Sequence, residues 1–290
     1  MQTGPYYIAY DVGGTSIKYG LIDLNKQLTF LGKLDTFHNA HQAILNQIIQ
    51  KTSALCETHQ IIGIGISTAG IVDRQAGKIS YAGPTIPNYQ GTELKQILTN
   101  QFNLPVYVEN DVNAALLGEK LIGAAQDLDN VYCVALGTGI GGAYLLNGQL
   151  QDGGFSHANS IGYLLYDPQT KTNYEQRAST LTLEKQLHEQ LGFSVPDAFK
   201  ESQNGNSAVL TIIQQWADSV AQGLAQIILT VDPAVLIIGG GVSQQGNYLI
   251  QLLNNATQSY LPPNFYQTKL IVAQNFNDAA LFGAVYRFFN

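Results

Sequence analysis

The chain has 290 residues, of which 45% are hydrophobic and only 12% are charged. This length predicts two domains or one large one, and the hydrophobic content excludes a disordered chain. The formal net charge of −7 argues against a phosphate-backbone partner, because such a partner needs a basic face. We therefore expect no nucleic-acid partner.

Two cysteines, Cys56 and Cys133, are too few for a disulfide framework or a cysteine-based zinc site. The first ten residues show no signal-peptide pattern. No window reaches about 18 unbroken apolar residues, the length that a membrane span needs. We therefore expect a cytoplasmic protein with no membrane partner.

The first predicted elements are two strands, over 6–10 and 17–22, joined by a glycine turn. The prolines of the segment 83–89 predict a loop there. Between these strands and residue 123, apolar spacing predicts helices over 40–58, 94–102 and 112–123, and strands over 61–66 and 106–108.

The opening pattern occurs again about 125 residues later, with strands over 131–136 and 143–146 on either side of a glycine turn. The elements predicted after it are helices over 181–191, 207–230, 246–258 and 278–289, and strands over 235–238 and 270–273. The repeat predicts two similar α/β domains. We place the N-terminal domain at 1–117 plus 279–290 and the C-terminal domain at 118–278.

The first glycine turn carries residues that suit a phosphate. Gly13 and Gly14 let backbone N–H groups approach a phosphate closely, and Thr15 adds a hydroxyl. Asp11, at the end of the strand, can hold a metal-bound water. An ordinary hairpin with a chance aspartate explains the same residues, so this turn alone leaves both interpretations open.

The second glycine turn, over 137–142, strengthens the phosphate interpretation. A strand rather than a helix follows it, so it is not a dinucleotide fingerprint, and it lacks the Lys-Ser/Thr of a Walker loop. A third glycine run, Gly239-Gly240-Gly241, offers bare backbone on which an adenine ring can lie. A strand-to-helix turn that needs positive φ is the simpler explanation of that run alone.

Glu109-Asn110-Asp111 is the strongest catalytic candidate. The segment lies between a buried strand and a helix, at the strand end where α/β proteins bind ligands. Asp111 can accept a proton from an alcohol, and Asn110 can hydrogen-bond two neighbouring hydroxyls. Asparagine and aspartate are also preferred helix N-caps, which is the competing explanation.

In this order and spacing the motifs resemble those of the ROK family of sugar kinases and repressors, within the actin-like ATPase superfamily. The resemblance covers nearly the whole chain and implies two RNase H-like domains around a cleft for ATP, Mg²⁺ and a hexose. It implies that Asp111 is the base that deprotonates the sugar 6-hydroxyl, and that Asp11 meets Mg²⁺ through water or ATP.

The resemblance also assigns binding residues. The implied sugar contacts are Gly70, Thr85, Asn88, Asn110, Asp111, Ser160, Tyr163 and Glu175. The implied ATP contacts are Asp11, Gly13, Gly14, Thr15, Lys18, Gly137, Thr138, Gly139, Gly240 and Gly241. A homodimer is a further expectation from the family.

Two departures narrow the resemblance. The family's Glu-x-Gly-His reads Ser160-Ile161-Gly162-Tyr163 here, and of its cysteine-rich zinc motif only the final glutamate remains, as Glu175. Histidine and cysteines are lost together, so we expect no structural zinc site. This combination resembles the zinc-less N-acetylmannosamine kinases of Gram-positive bacteria, and Ser160 leaves room for an axial 2-acetamido group.

Other functions remain open. Glucose or a β-glucoside is the alternative substrate within the kinase class. A sugar-responsive repressor would need an N-terminal helix-turn-helix, and only ten residues precede Asp11. An actin-like filament or chaperone ATPase would share the two phosphate hairpins without the sugar segment.

Overall fold

The computed structural model describes residues 3–83, 86–275 and 278–290. The chain divides into two compact units. Unit 1 comprises Met1–Gln126, Asp152–Ala158 and Asp278–Asn290, and unit 2 comprises Asp127–Gln151 and Asn159–Asn277. The domain limits expected from the sequence stay a prediction.

The regular elements follow in chain order. The strands are β1 (Thr3–Val12), β2 (Ser16–Asp23), β3 (Leu28–Asp35), β4 (His59–Thr68), β5 (Ile71–Asp73), β6 (Lys78–Tyr81), β7 (Val106–Asn110), β8 (Asn130–Leu136), β9 (Ile140–Leu146), β10 (Gln149–Leu150), β11 (Val235–Gly239) and β12 (Lys269–Val272). The helices are α1 (Ala43–Thr58), α2 (Leu94–Phe102), α3 (Asp111–Ile122), α4 (Tyr174–Ala178), α5 (Thr180–Leu191), α6 (Val195–Gln203), α7 (Ser207–Val231), α8 (Gly246–Gln258) and α9 (Ala279–Ala284).

The sheet of unit 1 has the strand order β3-β2-β1-β4-β7. Strands β1, β2 and β3 pair antiparallel, whereas β4 pairs parallel with both β1 and β7. The central strands are apolar on both faces, as expected where helices cover a sheet. Fully buried Ile8, Ile64 and Ile66 belong to this core. The parallel strands β1, β4 and β7 end at one edge, which carries the candidate site of unit 1.

The sheet of unit 2 has the order β10-β9-β8-β11-β12. Its first three strands pair antiparallel and its last three parallel, which repeats the topology of unit 1. The 25-residue helix α7 buries one face that includes Trp216 and Leu224. The prediction of two similarly built α/β halves is therefore confirmed.

Helices α3 and α9 approach each other backbone to backbone within unit 1. A Cβ atom on Gly118 would overlap the carbonyl of Ala279, and one on Gly283 would overlap the carbonyl of Ala114. Only glycine allows this approach. The contact fixes α3, whose first residue is Asp111.

The structure differs from the prediction at two elements. Strand β3 was not predicted, because it is an edge strand whose mostly exposed residues lack a clear apolar alternation. The C-terminal helix was predicted over 278–289, whereas α9 ends at Ala284 and a 3-10 helix follows at Tyr286–Phe288. Aromatic packing on the sheet accounts for this end: the rings of Phe288 and Tyr7 stack with centroids 4.4 Å apart. No helix among the described residues combines the length and apolar character of a membrane span.

Candidate active site

The first glycine turn is stabilised by hydrogen bonds from Thr36, which lies beyond the turn in the chain. Gly13 N donates to Ser16 O at 2.9 Å, which closes the turn between β1 and β2. The Thr36 hydroxyl donates to Gly14 O at 2.9 Å, and Thr36 N donates to Thr15 O at 3.1 Å. Thr36 is buried, and the sequence analysis missed it because its pairing bridges 22 residues of chain.

Asp11 ends β1 with both carboxylate oxygens engaged. The Ser67 hydroxyl donates to Asp11 Oδ1 at 3.0 Å, and Lys18 Nζ lies 3.4 Å from Oδ2. Lys18 and Asp11 are cross-strand partners in the β1–β2 register. Lys18, predicted as an ATP contact, therefore pairs with Asp11. Ser67 was not predicted, although it follows the buried run of β4.

Asn110 is a helix cap and a positioning group at once. Its Oδ1 accepts from Val112 N at 3.0 Å and Asn113 N at 3.1 Å, which caps α3. Its Nδ2 donates to Gly70 O and to Asp111 Oδ1, both at 2.8 Å. The competing cap explanation was therefore right about the amide oxygen. The amide nitrogen joins three predicted site residues, Gly70, Asn110 and Asp111, in one network.

The Asp111 carboxyl is oriented through one of its oxygens. Oδ1 accepts from Val112 N at 3.0 Å as well as from Asn110, whereas Oδ2 has no hydrogen-bond partner within the described part of the chain. Burial raises the pKa of Asp111 to about 6, and the nearby Asp11 carboxylate adds to the increase. A carboxylate with one unengaged oxygen and a pKa near neutrality suits a general base.

A buried ion cluster supports this segment. Glu109 is 4% exposed, and its carboxylate accepts from Arg74 Nε at 2.7 Å. Asn110 N and Asn113 Nδ2 donate to Glu109 Oε1, each at 3.1 Å, and the Arg287 guanidinium lies 4.0 Å from Oε2. Burial raises the pKa of Glu109, opposed first by Arg74. The sequence analysis left Arg74 and Arg287 out, since no motif marks them.

The second glycine turn, in unit 2, rests on Glu175. Ile140 N donates to Glu175 Oε2 at 3.2 Å, and a Cβ atom on Gly139 would lie 2.6 Å from that oxygen. The turn is closed by Gly137 N donating to Gly139 O at 3.0 Å. Glu175, predicted as a sugar contact, therefore also holds the predicted phosphate turn. Thr138 is exposed at its tip.

The glycine run after β11 has two different roles. Gly240 has φ +87, and a Cβ atom there would overlap the Leu136 carbonyl, so glycine is required by packing. A Cβ atom on Gly241 would have no neighbouring atom within 4 Å, and the same holds for Gly137. The simpler explanation holds for Gly240. The open space at Gly137 and Gly241 is compatible with close approach of a nucleotide to the backbone, and their contact with ATP stays a prediction.

The remaining predicted sugar residues lie in loops. Asn88 adopts φ 56, and its carbonyl accepts from Asn39 Nδ2 at 3.1 Å. Ser160 is exposed directly before the 3-10 helix Ile161–Tyr163, and Tyr163 is 62% exposed. Thr85 lies outside the described residues. A Cβ atom on Gly162 would lie 2.7 Å from Glu175 Oε2, so the structure brings the segment 160–163 next to Glu175.

The described residues contain no group of three or more His, Cys, Asp and Glu side chains placed to hold a metal ion. The predicted lack of structural zinc stays a prediction, as does the contact of Asp11 with Mg²⁺.

Comparisons with known proteins agree with this architecture. A sequence model of the ROK family matches residues 7–288. A beta-glucoside kinase of Listeria monocytogenes is 30% identical over 290 residues, covering 97% of this chain and 96% of the relative. The similarity therefore extends over almost the whole length of both chains.

Two solved structures are similar throughout. A ROK family glucokinase from Streptomyces griseus, in complex with glucose and AMPPNP, has a TM-score of 0.83 and 27% identity, covering 96% of this chain and 97% of that one. A Listeria monocytogenes protein provisionally assigned as an N-acetylmannosamine kinase has a TM-score of 0.84 and 28% identity, covering 98% of both chains. These matches confirm the predicted actin-like α/β fold, and the chain belongs to the ROK family.

Proposed function

We propose that this protein is an ATP-dependent kinase that phosphorylates the 6-hydroxyl of N-acetylmannosamine. The observation that carries the proposal is the Asp111 carboxyl at the start of α3, oriented through Oδ1 by Asn110 and with Oδ2 unengaged. Its pKa of about 6 leaves it mostly ionised at neutral pH and basic enough to accept a proton.

The proton transfer asks little covalent chemistry of the protein. Asp111 Oδ2 would accept the proton of the sugar 6-hydroxyl while the sugar 6-oxygen attacks the γ-phosphorus of ATP. The bond from that phosphorus to the bridging oxygen would break, and ADP would leave. Asn110 keeps the carboxylate in one orientation, and Glu109 holds Asn110 N in turn. The Arg74 guanidinium neutralises buried Glu109, so the second negative charge of the segment does not add to that of Asp111.

The backbone turns are the proposed nucleotide site. Gly13, Gly14, Thr15 and Lys18 in unit 1, and Gly137, Thr138 and Gly139 in unit 2, would hold phosphates through N–H and hydroxyl groups. Gly240 and Gly241 would lie by the adenosine, and Asp11 would hold Mg²⁺ through water or ATP. When bound, ATP with Mg²⁺ supplies the transferred phosphoryl group and neutralises its charge.

The sugar identity rests on the segment 160–163 beside Glu175. Serine at 160 is small and exposed, which leaves space for the axial 2-acetamido group that glucose lacks. Gly70, Asn88 and Tyr163 complete the proposed sugar contacts, with Thr85. Similarity to the provisionally assigned Listeria N-acetylmannosamine kinase supports this choice.

A glucokinase or β-glucoside kinase is the second candidate. It is favoured by the 30% identical beta-glucoside kinase of Listeria monocytogenes. A homodimer in the cytoplasm is part of the proposal under either substrate, because ATP is a cytoplasmic substrate and the dimer is the family expectation. A sugar-sensing regulator without catalysis is the remaining alternative.

An ADP-release assay with ATP and Mg²⁺ tests the proposal. The panel is N-acetylmannosamine, N-acetylglucosamine, glucose, mannose, cellobiose and no sugar. We expect turnover with N-acetylmannosamine only. Turnover only with glucose or cellobiose would move the protein to the second candidate, and ADP release without sugar would contradict both.

Ser160→Glu tests the space argument separately. We expect its kcat/KM for N-acetylmannosamine to fall at least about tenfold, because the longer side chain would fill the space of the acetamido group. Ser160→Ala is the matched control and should retain activity. An unchanged sugar preference in Ser160→Glu would remove the reason for choosing N-acetylmannosamine.

A further inference from the structure

Unit 1 contains a cavity that has no role in the proposed phosphoryl transfer. Its volume is about 580 Å³, within the range of small-molecule sites. It lies between the β5–β6 turn and the segment Asp152–Ala158, both of which belong to unit 1. Polar side chains of both segments and the phenyl ring of Phe155 line it, among them Asp73, Arg74, Gln75, Asp152, Phe155 and His157.

Arg74 presents a fixed donor to this cavity. Its Nε donates to Glu109 at 2.7 Å and its Nη1 to Asp152 at 2.9 Å, so the guanidinium plane is held by two carboxylates. Its Nη2 has no acceptor among the described residues, and the side chain is 22% exposed. A donor that is already ordered and lacks a partner binds an acceptor of a ligand with little loss of entropy.

The charges around Arg74 select the class of ligand. Arg74 pairs with the carboxylates of Glu109 and Asp152, Arg287 lies 4.0 Å from Glu109, and Asp73 adds a third carboxylate to the cavity wall. The cavity wall therefore carries no excess of positive charge, which disfavours a phosphate or a carboxylate. Donors and acceptors side by side suit a neutral molecule with several hydroxyl groups.

Phe155 supplies the apolar part of the site. It is 85% exposed, the highest value among the large hydrophobic side chains described as exposed. Gly154 and Ser156 flank it and also line the cavity. A largely exposed aromatic ring next to paired donors and acceptors matches a pyranose, which has an apolar C–H face and hydroxyls around its edge.

We propose that this cavity binds one hexopyranose ring, with Phe155 stacked on its C–H face and Arg74 and Asp152 bonded to its hydroxyls. The ring has two possible sources: the glycosyl substituent of a disaccharide substrate, or a separate sugar molecule. The first source rests on the proposed function, since it requires phosphorylation of the same molecule; the binding itself does not.

Calorimetric titration of the full chain with glucose, cellobiose and N-acetylmannosamine tests the binding. We expect Phe155→Ala to weaken binding of at least one of these sugars by about tenfold, the effect of losing one buried apolar contact. Phe155→Tyr should retain binding, because it keeps the ring. Phe30→Ala, which removes an exposed ring of β3 in the same unit, is the control.

Phosphorylation kinetics distinguish the two sources. If the ring is a substituent of the substrate, Phe155→Ala lowers kcat/KM for cellobiose about tenfold and leaves that for glucose unchanged. If it is a separate sugar, binding weakens in the titration while kcat/KM for both sugars is unchanged at low sugar concentration. Equal titration curves for wild type and Phe155→Ala with all three sugars overturn the proposal. A chain without kinase activity would refute the proposed function, and the titration would still decide the cavity.

Discussion

The two glycine turns occupy the same place in two sheets of the same topology, yet they are supported differently. In unit 1, Thr36 holds the turn from another part of the chain: its hydroxyl donates to Gly14 O and its backbone N donates to Thr15 O. In unit 2, the Glu175 carboxylate accepts from Ile140 N, and the backbone at Gly142 is also packed closely against other residues.

Gly142 shows the contrast. A Cβ atom there would overlap the Tyr132 hydroxyl and lie 2.9 Å from Asn159 O, whereas one on Gly13 would meet Ser16 O at 3.4 Å. Packing therefore requires glycine at position 142, whereas the space around Gly13 would accept a Cβ atom. A glycine motif therefore does not by itself say which glycines touch a ligand.

The largest effect is expected at Asp111 of unit 1, an acid of raised pKa that is proposed as the catalytic base. Asp111→Asn should lower kcat at least about 10³-fold, since an amide cannot accept the proton. A coupled ADP assay measures the loss, and circular dichroism should show an unchanged fold. Residual activity within about tenfold of wild type would mean that another group is the base.

The second prediction compares the two turns directly. Gly142→Ala should lower the free energy of unfolding by about 2–3 kcal/mol, because the buried Tyr132 ring and the Asn159 backbone must shift. Gly13→Ala should change it by less than about 1 kcal/mol and should raise KM for ATP instead. Urea unfolding and steady-state kinetics measure the two effects, and equal loss of stability would remove the contrast.

The third prediction is the pH dependence that Asp111 imposes. Its pKa is raised to about 6, so log kcat/KM should fall with unit slope below pH 6, about tenfold by pH 5. Because the folded state favours the protonated acid, the same group stabilises the protein below pH 4 and that stability is lost as the pH rises through 6. The loss is at most about 3 kcal/mol.

Asp111→Asn is the control for that stability change, since an amide does not titrate. Its free energy of unfolding should rise relative to wild type between pH 4 and pH 7. A constant difference across this range would mean that the Asp111 pKa is not raised in the folded chain.

The smallest expected effect concerns the support of the first turn. Thr36→Val keeps the shape of a buried side chain but leaves Gly14 O without its donor, which should destabilise unit 1 by about 1 kcal/mol. KM for ATP should rise a few-fold if the turn holds phosphates. Thr211→Val, which removes an exposed helical hydroxyl bond, is the control. An unchanged KM would separate this turn from ATP.

Local sequence signals were enough to find most elements. The helix predicted over 94–102 matches α2, and the strand predicted over 131–136 differs from β8 by one residue, because apolar periodicity and the flanking turns mark them. The edge strand β3 was missed because its exposed faces leave no periodic pattern. The short helices α4 and α6 were missed as well, although the polar caps Asn173 and Ser194, which are signals of a helix start, precede them.

The candidate site was predicted in its motifs but not in its supports. Asp11, Asn110 and Asp111 could be singled out because they stand at strand ends within short motifs. Arg74 and Thr36 were missed, since their partners, Glu109 and Gly14, lie 35 and 22 residues away. A pairing of that range has no local pattern.

The sequence by itself determined the strand–turn–strand repeat, the glycine turns and the family, because these depend on residue types at short spacing. Only the tertiary structure decided the role of each residue. It shows that Asn110 caps α3 and orients Asp111, and that Glu175 supports the second turn. It also decided that Arg74 joins the Glu109 cluster to the cavity of Phe155. These assignments depend on distances between segments far apart in the chain, and burial of the charges is what sets their pKa values.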